Sequence, residues 1–193
     1  MNSSCSELRR ARPLLGTLVD IRAGGVGEPA LGSAIDAAFC EIAQVHRLMS
    51  FHDPESDVSR INRDAWRGAI PVHAHTIRVL RIAHEFSAAT GGVFDLTVAS
   101  HLVERGILPL PPGAPRIESA NWSDLELLAD GRVRCRRRLL VDLGGIAKGY
   151  AVDLAIAALR RNGAGWGCVN AGGDLRAFGR TQTVHVRHPQ AHW

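Results

Sequence analysis

The sequence feature that most constrains the fold is a short apolar run that ends at two glycines and continues directly into a helical pattern. Residues 139–143 (LLVDL) are apolar except for Asp142, which predicts a buried strand with a carboxylate near its end. The glycine pair predicts a tight turn, and the apolar spacing over 146–162 predicts a helix that ends at Gly163. A strand, a turn and a helix are therefore expected in direct succession.

The rest of the chain combines the two-residue period of strands with the longer period of helices. Further strands are predicted at 17–23, 125–129, 132–135, 167–171 and 183–187, further helices at 33–49 and 76–90, and loops at 50–62 and 106–123. The Asp130-Gly131 pair predicts a two-residue hairpin between two of these strands. Since both hairpins and helical crossovers join the strands, the sequence predicts an α+β fold with mixed sheets and packed helices.

The chain has 193 residues, of which 46% are hydrophobic and 22% charged, which excludes a disordered or collagen-like protein. It contains no internal repeat or linker, so residues 1–193 are expected to form a single domain. No run approaches the roughly 18 apolar residues that a membrane helix needs, and the N-terminus lacks the apolar core of a signal peptide. We therefore expect no membrane span and a cytoplasmic location.

The basic residues are divided very unevenly between arginine and lysine. The net charge is +4, and Lys148 is the only lysine among 23 basic residues. Because only 5% of the residues are aromatic, the stacking surfaces of single-strand nucleic-acid binders are missing, and we expect no nucleic-acid partner. The single lysine suggests a site that accepts a compact ammonium group but not a planar guanidinium, although chance gives the same count.

Residues 141–153 (VDLGGIAKGYAVD) combine the features of an anion-binding site. Glycines let the main chain approach a ligand closely, and the N–H groups at a helix start favour an anion such as a diphosphate. Lys148 lies on the predicted first turn, where it adds a cation, and Asp142 needs a partner or a ligand at the end of a buried strand. A plain strand–turn–helix connection without a ligand is the alternative.

Three further segments are weaker candidates on their own. In residues 169–179 (VNAGGDLRAFG), Asn170 and Asp174 bracket a turn of small residues, for which an ordinary capped turn is the alternative. Asp95 lies between two apolar residues and needs a hydrogen-bond donor, and residues 49–62 crowd polar side chains into one loop. The histidines have no glutamate or cysteine beside them at metal-ligand spacing, so we expect no histidine metal site.

Five segments, taken together and in this order, resemble the FAD:protein FMN transferases, which form the ApbE family. The matching segments are LLGTLVDI at 14–21, MSFHDPESDVSRIN at 49–62, TGGVFDLT at 90–97, VDLGGIAKGYAVD at 141–153 and VNAGGDLRAFG at 169–179. Each segment alone is modest, but five in the order and spacing of the family are highly specific. The resemblance implies an ApbE-like architecture, which is related to the T-fold.

The resemblance also implies an activity and a set of site residues. Members bind FAD with Mg²⁺, split its diphosphate, and transfer FMN to a threonine or serine hydroxyl of a target protein. By resemblance, the residues that contact FAD are Leu15, Val93, Phe94, Asp95, Asp142 and Lys148, and the main-chain carbonyl of Gly145 is a magnesium ligand. Asn170 and Asp174 are further candidates for cofactor binding. His52 stands where the family usually has an aromatic ring, and imidazole can stack in its place.

Members of the family are usually longer than this chain. The resemblance therefore implies one transferase domain that lacks the C-terminal portion of the family, which carries further magnesium ligands. A truncated product without catalysis and a non-catalytic flavin-binding module are two alternatives. An arginine-rich RNA binder is a third, whose affinity would fall steeply with salt.

Overall fold

The computed structural model describes residues 6–114, 118 and 120–185. In chain order, the elements are β1 (Glu7–Leu14), β2 (Thr17–Gly24), α1 (Glu28–Met49), α2 (Asp57–Asp64), β3 (Ile70–Pro71), α3 (Ala74–Ala89), α4 (Ala99–Glu104), β4 (Leu125–Leu127), β5 (Arg132–Cys135), α5 (Ala147–Arg161), β6 (Trp166–Ala171) and β7 (Asp174–Phe178). A short 3-10 helix, Trp122–Asp124, precedes β4. Antiparallel sheets packed with helices form the α+β architecture that the sequence predicts.

The larger sheet has the strand order β1-β2-β6-β7, and each neighbouring pair is antiparallel. In β2, Val19 and Ile21 alternate with more exposed residues and are fully buried. The long helices α1 and α5 contact each other and this sheet. Their apolar side chains recur every three or four residues, as Phe39 and Ile42 do in α1, so one stripe of each helix enters the core.

The smaller sheet has the strand order β3-β5-β4 and is also antiparallel. Val133 and Cys135 of β5 are buried, whereas Arg132 and Arg134 are exposed, as the alternation in the sequence predicts. The hairpin between β4 and β5 is confirmed, with Leu127 paired to Val133, but the predicted two-residue turn is wrong. The N–H of Leu128 donates to the carbonyl of Arg132 at 2.9 Å, so three residues, 129–131, form the connection, and Gly131 takes the left-handed position with a φ of +78°. This sheet lies beside α3, so the two sheets contribute to one continuous set of buried residues.

Helix α1 begins at Glu28, so the prediction of a helix start at residue 33 is wrong. Pro29 occupies the first turn, where its fixed φ and missing N–H favour a helix start. Ser33, where the predicted helix begins, lies inside α1, and its hydroxyl donates to the carbonyl of Pro29 at 3.2 Å. Pro29 was the signal in the sequence that could have placed this start.

Helix α2 and strand β1 are among the elements that were not predicted from the sequence. Helix α2 replaces the second half of the predicted loop 50–62, and Ser56 caps it by accepting the N–H of Ser59 at 3.0 Å. On one face of strand β1, Arg10 and Arg12 occupy positions at which a half-buried strand usually has apolar residues. Both arginines pair with Asp36 of α1. Because ion pairs attach this strand to α1, its sequence lacks the alternation of apolar and polar residues that predicts a strand.

The strand predicted at 183–187 is not observed over 183–185, and residues 186 and 187 lie outside the described residues. The preceding residues contact the larger sheet through side chains. Arg22 of β2 donates to the side-chain oxygen of Gln182 at 2.9 Å, and the Arg180 guanidinium lies 3.8 Å from the ring centre of Trp166. In the part of the chain described, no helix has both the length and the apolar character needed to cross a membrane.

Candidate functional site

A cleft of about 590 Å³ lies where the tip of the β1–β2 hairpin, the end of α1 and the start of α5 meet. Four residues predicted from widely separated segments line it, namely Leu15, His52, Asp142 and Lys148. Apolar side chains complete the walls, among them Met49. A concave, mostly apolar site with a few polar groups is typical of small-molecule binding.

Residues 139–143, which carry Asp142, form no strand, so the strand predicted there is wrong. The side chain of Asn62 takes the place of a neighbouring strand. Its Nδ2 donates to the carbonyl of Val141 at 3.0 Å, and its Oδ1 accepts the N–H of Val141 at 2.7 Å. Both groups are buried, so the amide satisfies main-chain polar groups that would otherwise lack a partner.

The main chain on either side of Val141 is held by the segment around α4. The N–H of Leu140 donates to Ser100 Oγ at 3.0 Å, and the N–H of Asp142 donates to the carbonyl of Leu96 at 2.9 Å. Asp142 is therefore fixed at its main chain before any ligand arrives. Its carboxylate Oδ1 accepts the N–H of Gly144 at 2.9 Å, which closes the turn into α5.

Lys148 lies on the first turn of α5, with its side chain about one-third exposed. Its Nζ donates to the carbonyl of Gly144 at 3.3 Å and lies 3.6 Å from Asp174 Oδ2. Helix α5 begins after Ile146 without a side-chain cap, so its positive end is not neutralised by a capping oxygen. The ammonium group and the helix start together favour an anion at this position.

Gly145 and Asp174 line a second, smaller cleft of about 280 Å³ between α3 and α5. A β-carbon at Gly145 would lie 3.4 Å from Cε2 of Phe94, so the ring of Phe94 packs over this glycine. Burial raises the pKa of the Tyr150 phenol, which also lines this cleft. The Lys148–Asp174 pair therefore joins one residue from each cleft.

The remaining predicted residues lie apart from these two clefts. Val93 is 91% exposed. Asp95 accepts both the N–H and the hydroxyl of Thr97 at 2.7 Å, which leads the chain into α4. Asn170 Oδ1 accepts the N–H of Gly173 at 2.9 Å in the turn between β6 and β7. Asp95 and Asn170 thus have structural partners, and their contact with a cofactor stays a prediction.

His52 is exposed at the cleft, and its ring meets that of Phe51 edge to face at 5.6 Å between centroids. Ser50 organises the start of this loop by accepting the N–H of Asp53 with its hydroxyl at 3.2 Å. Because His52 is exposed, part of its imidazole ring is accessible from the cleft. A planar ligand could stack there.

Leu15 forms part of the cleft wall from an unusual backbone position. Its φ is +55°, and it is the only residue other than glycine with a positive φ in the described ranges. A left-handed conformation costs a non-glycine residue about 1–2 kcal/mol. The sequence gives no signal of this strain, because LLGT has no feature that predicts a left-handed leucine.

Sequence reasoning missed three residues that shape the first cleft. His46 and Leu108 line it, and Asn62 holds the segment behind it. Leu108 belongs to the predicted loop 106–123, which is rich in proline and was not predicted to take part in the site. Asn62 was predicted to lie in a polar loop. Its spacing from Val58 and Ile61 is that of one face of a helix, and this spacing could have predicted that Asn62 is buried.

Residues able to hold a metal ion are few. Within the described residues, no group of three or more histidine, cysteine, aspartate or glutamate side chains is arranged for a metal. Magnesium often binds through one or two carboxylates, with substrate phosphates and water supplying the other ligands. The carboxylates of Asp142 and Asp174 and the exposed main chain at Gly145 fit only such a partial set.

The chain is similar in sequence to one protein family and to proteins that are named for one reaction. The sequence model described as the ApbE family matches residues 15–192. A protein of Vibrio cholerae named FAD:protein FMN transferase is 28% identical over 180 residues, which is 86% of this chain and 53% of that protein. The chain therefore spans about half the length of this relative.

Two solved structures share the fold. The ApbE protein of Thermotoga maritima is 27% identical with a TM-score of 0.82, and the match covers 96% of this chain and 65% of that one. The apo form of the flavinyl transferase ApbE of Pseudomonas stutzeri is 26% identical with a TM-score of 0.79, and the match covers 91% of this chain and 62% of that one. The α+β architecture is thus the one found in these proteins.

Proposed function

Because the chain belongs to the ApbE family, we propose that it transfers FMN from FAD to a hydroxyl group of a target protein. The relative from Vibrio cholerae is named for this reaction. The observation that carries the proposal is the meeting of Lys148, Asp142 and an apolar wall in one cleft. These groups match the three parts of FAD that a transferase must hold, namely a diphosphate, polar ring edges and an apolar ring system.

In this proposal Lys148 contacts the diphosphate of FAD. Its ammonium group lies at the uncapped start of α5, so the cation and the helix dipole act on the same anion. Both lower the free energy of charge that builds up as the phosphorus–oxygen bond breaks. Asp174 Oδ2 lies 3.6 Å from Nζ and is the counter-charge of the ammonium group when no anion is bound.

The flavin is proposed to lie against the apolar part of the cleft. Leu15 and Met49 supply contact area, and the exposed ring of His52 supplies a stacking surface. Phe94 packs over Gly145 next to the second cleft, so a flavin that bridged the two clefts would also meet Phe94. Val93, Asp95 and Asn170 are proposed as more distant contacts.

The proposed reaction forms one phosphoester bond and breaks one phosphoanhydride bond. A serine or threonine oxygen of the target attacks the phosphorus that carries the flavin side, AMP leaves with the bridging oxygen, and the hydroxyl proton passes to a base or to solvent. Mg²⁺, when bound, supplies charge neutralisation on the phosphates. We propose the main-chain carbonyl of Gly145 as one ligand, with the substrate phosphates and water as the others.

The proposal treats residues 1–193 as one domain of this transferase. The Ser/Thr acceptor follows from the family resemblance, and the cytoplasmic location stays a prediction. A flavin-binding module without transfer is the competing function.

The experiment that separates these functions is a transfer assay. The chain is incubated with FAD, Mg²⁺ and a peptide library that contains serine and threonine, and the peptides are then analysed by mass spectrometry and flavin fluorescence. A phosphoester-linked flavin on a peptide, with release of AMP, supports the transferase. FAD binding without modified peptide or AMP supports the binding module.

A further inference from the structure

We propose that His46 is a positioning residue that holds the tip of the β1–β2 hairpin, so that Leu15 forms one wall of the cleft. The inference rests on the proposed binding of FAD in that cleft. It comes from the geometry of the hairpin, which no family segment explains: His46 lies outside the five matching segments of the sequence.

The hairpin tip is a turn of only two residues. Leu14 pairs with Thr17, so Leu15 and Gly16 alone connect β1 to β2. Their φ angles are +55° and +70°. Turns with two positive φ angles favour asparagine, aspartate or glycine at the first position, because a larger side chain clashes with its own main chain. Leucine at this position therefore needs support from outside the hairpin.

His46 gives that support through one hydrogen bond. The N–H of Leu15 is not used in the Leu14–Thr17 pairing, and it donates to Nδ1 of His46 at 3.2 Å. A main-chain N–H can only donate, so Nδ1 must accept and the neutral ring carries its proton on Nε2. The carbonyl of His46 also accepts the N–H of Ser50 at 3.1 Å, which closes the last turn of α1.

The same three residues line the cleft. Leu15, Gly16 and His46 form its edge beside Val45 and Met49 of α1. Glycine at position 15 would accept the turn without strain, but it would bring no apolar side chain to the wall. A strained leucine held by a histidine therefore provides contact area that the relaxed turn would lack, and strain of this kind concentrates at ligand sites.

The effect of losing His46 is expected to stay local. Arg10 Nη1 and Arg12 Nη2 bind the two carboxylate oxygens of Asp36 at 2.9 and 2.7 Å, so the body of β1 remains attached to α1. Only the tip loses its tether. A change at His46 should therefore alter the cleft much more than it alters unfolding of the whole chain.

The test compares three variants of the full chain. His46→Ala removes the acceptor, His46→Asn places Oδ1 near the position of Nδ1, and Arg47→Ala is a control at an exposed neighbour on the same helix turn. Two quantities are measured, namely the exchange rate of the Leu15 amide by NMR without flavin and the Kd for FAD. Since one hydrogen bond corresponds to about a fivefold change in equilibrium, His46→Ala should speed exchange and raise Kd by about fivefold or more.

His46→Asn should restore both quantities to within about twofold of the parent chain, and Arg47→Ala should change neither. An unchanged exchange rate in His46→Ala would overturn the tether. Faster exchange with an unchanged Kd would overturn the link between the tether and the FAD site. If the parent chain binds no FAD, the proposed function fails, and the exchange rates alone then decide whether His46 holds the tip.

A second pair of variants keeps the test decisive if His46→Ala folds poorly. Glycine tolerates a positive φ, so Leu15→Gly should remove the need for the tether. His46→Ala should then lower Tm less in the Leu15→Gly background than in the parent chain, and such coupling is what residues in direct contact show. Equal Tm losses in the two backgrounds would contradict the proposal.

Discussion

The amide of Asn62 pairs with both main-chain groups of Val141, donating to the carbonyl at 3.0 Å and accepting the N–H at 2.7 Å. The two residues are 79 positions apart in the sequence. One side chain thus replaces a strand partner for a segment that enters the cleft at the next residue, Asp142. The position of this carboxylate therefore depends on a contact between two residues that do not line the cleft.

This relationship predicts that Asn62→Ala destabilises the chain. The substitution leaves a buried N–H and a buried carbonyl of Val141 without partners, so we expect a loss of about 2–4 kcal/mol in the free energy of unfolding, measured by urea denaturation. Asn162→Ala removes an exposed amide at the end of α5 and should cost less than about 1 kcal/mol. Equal losses in the two variants would show that the pairing of Asn62 with Val141 stabilises the chain no more than an exposed amide does.

Lys148→Ala is predicted to weaken FAD binding. A charged hydrogen bond contributes about 1.5–3 kcal/mol, so the Kd should rise by about 10- to 100-fold. Lys148→Arg should recover only part of this, because a planar guanidinium differs in shape from the ammonium group. Arg161→Ala changes the charge by the same amount at the far end of α5 and should leave the Kd unchanged. The measurement is a fluorescence titration, and a Kd unaffected by Lys148→Ala removes Lys148 from the site.

Asp142→Asn separates the two roles of this side chain. The amide oxygen of asparagine can still accept the N–H of Gly144, so the turn into α5 should persist and Tm should change little. The negative charge is lost, however, and FAD binding should weaken by about tenfold if the carboxylate contacts the cofactor. Unaltered affinity with an intact turn would make Asp142 a purely structural residue.

The thiols should react in an order set by burial. Burial raises the pKa of Cys135 to about 12 and raises the pKa of Cys168, whereas Cys40 is exposed. Because the thiolate is the reactive form, Cys40 should react with a disulfide reagent at mildly alkaline pH well before the other two. Cys5 lies outside the described residues, so the rapid phase is assigned with Cys40→Ser, which should reduce it by one thiol. Rapid reaction of Cys135 in the folded chain would contradict the position of β5.

The elements that could be predicted from the sequence are those whose local pattern and packing agree. Helix α5 begins within one residue of its predicted start and lies in the predicted 146–162, because its apolar stripe faces the core and two glycines precede it. The hairpin between β4 and β5 also follows from its local pattern, although its turn has three residues and not the predicted two. The ends of such elements are determined by residues within or next to the element itself.

Other features depend on contacts that no local pattern contains. Residues 139–143 have the composition of a strand, but Asn62 satisfies their main chain in place of a strand. Strand β1 could not be predicted from apolar alternation, because Arg10 and Arg12 pair with Asp36. The left-handed Leu15 likewise depends on His46, 31 positions away. In each case a distant polar side chain decides the local structure.

The residues of the candidate site also divide into those that the local sequence predicts and those that depend on distant contacts. The glycine pair, Lys148 and Asp142 were found together because they lie in one short segment. Leu15 and His52 were identified through the family resemblance, and the structure brings both to the same cleft. His46 and Leu108 had no signal of their own, since their role depends on how the hairpin and the proline-rich loop approach the end of α1.

The central claim, that this cleft binds FAD, is tested most directly by titrating the chain with FAD and following flavin fluorescence with and without Mg²⁺. We predict saturable binding that Mg²⁺ strengthens and that Lys148→Ala weakens by at least about tenfold. Circular dichroism and a cooperative thermal melt serve as the control for folding. A folded chain that shows no saturable FAD binding at any Mg²⁺ concentration would contradict the claim.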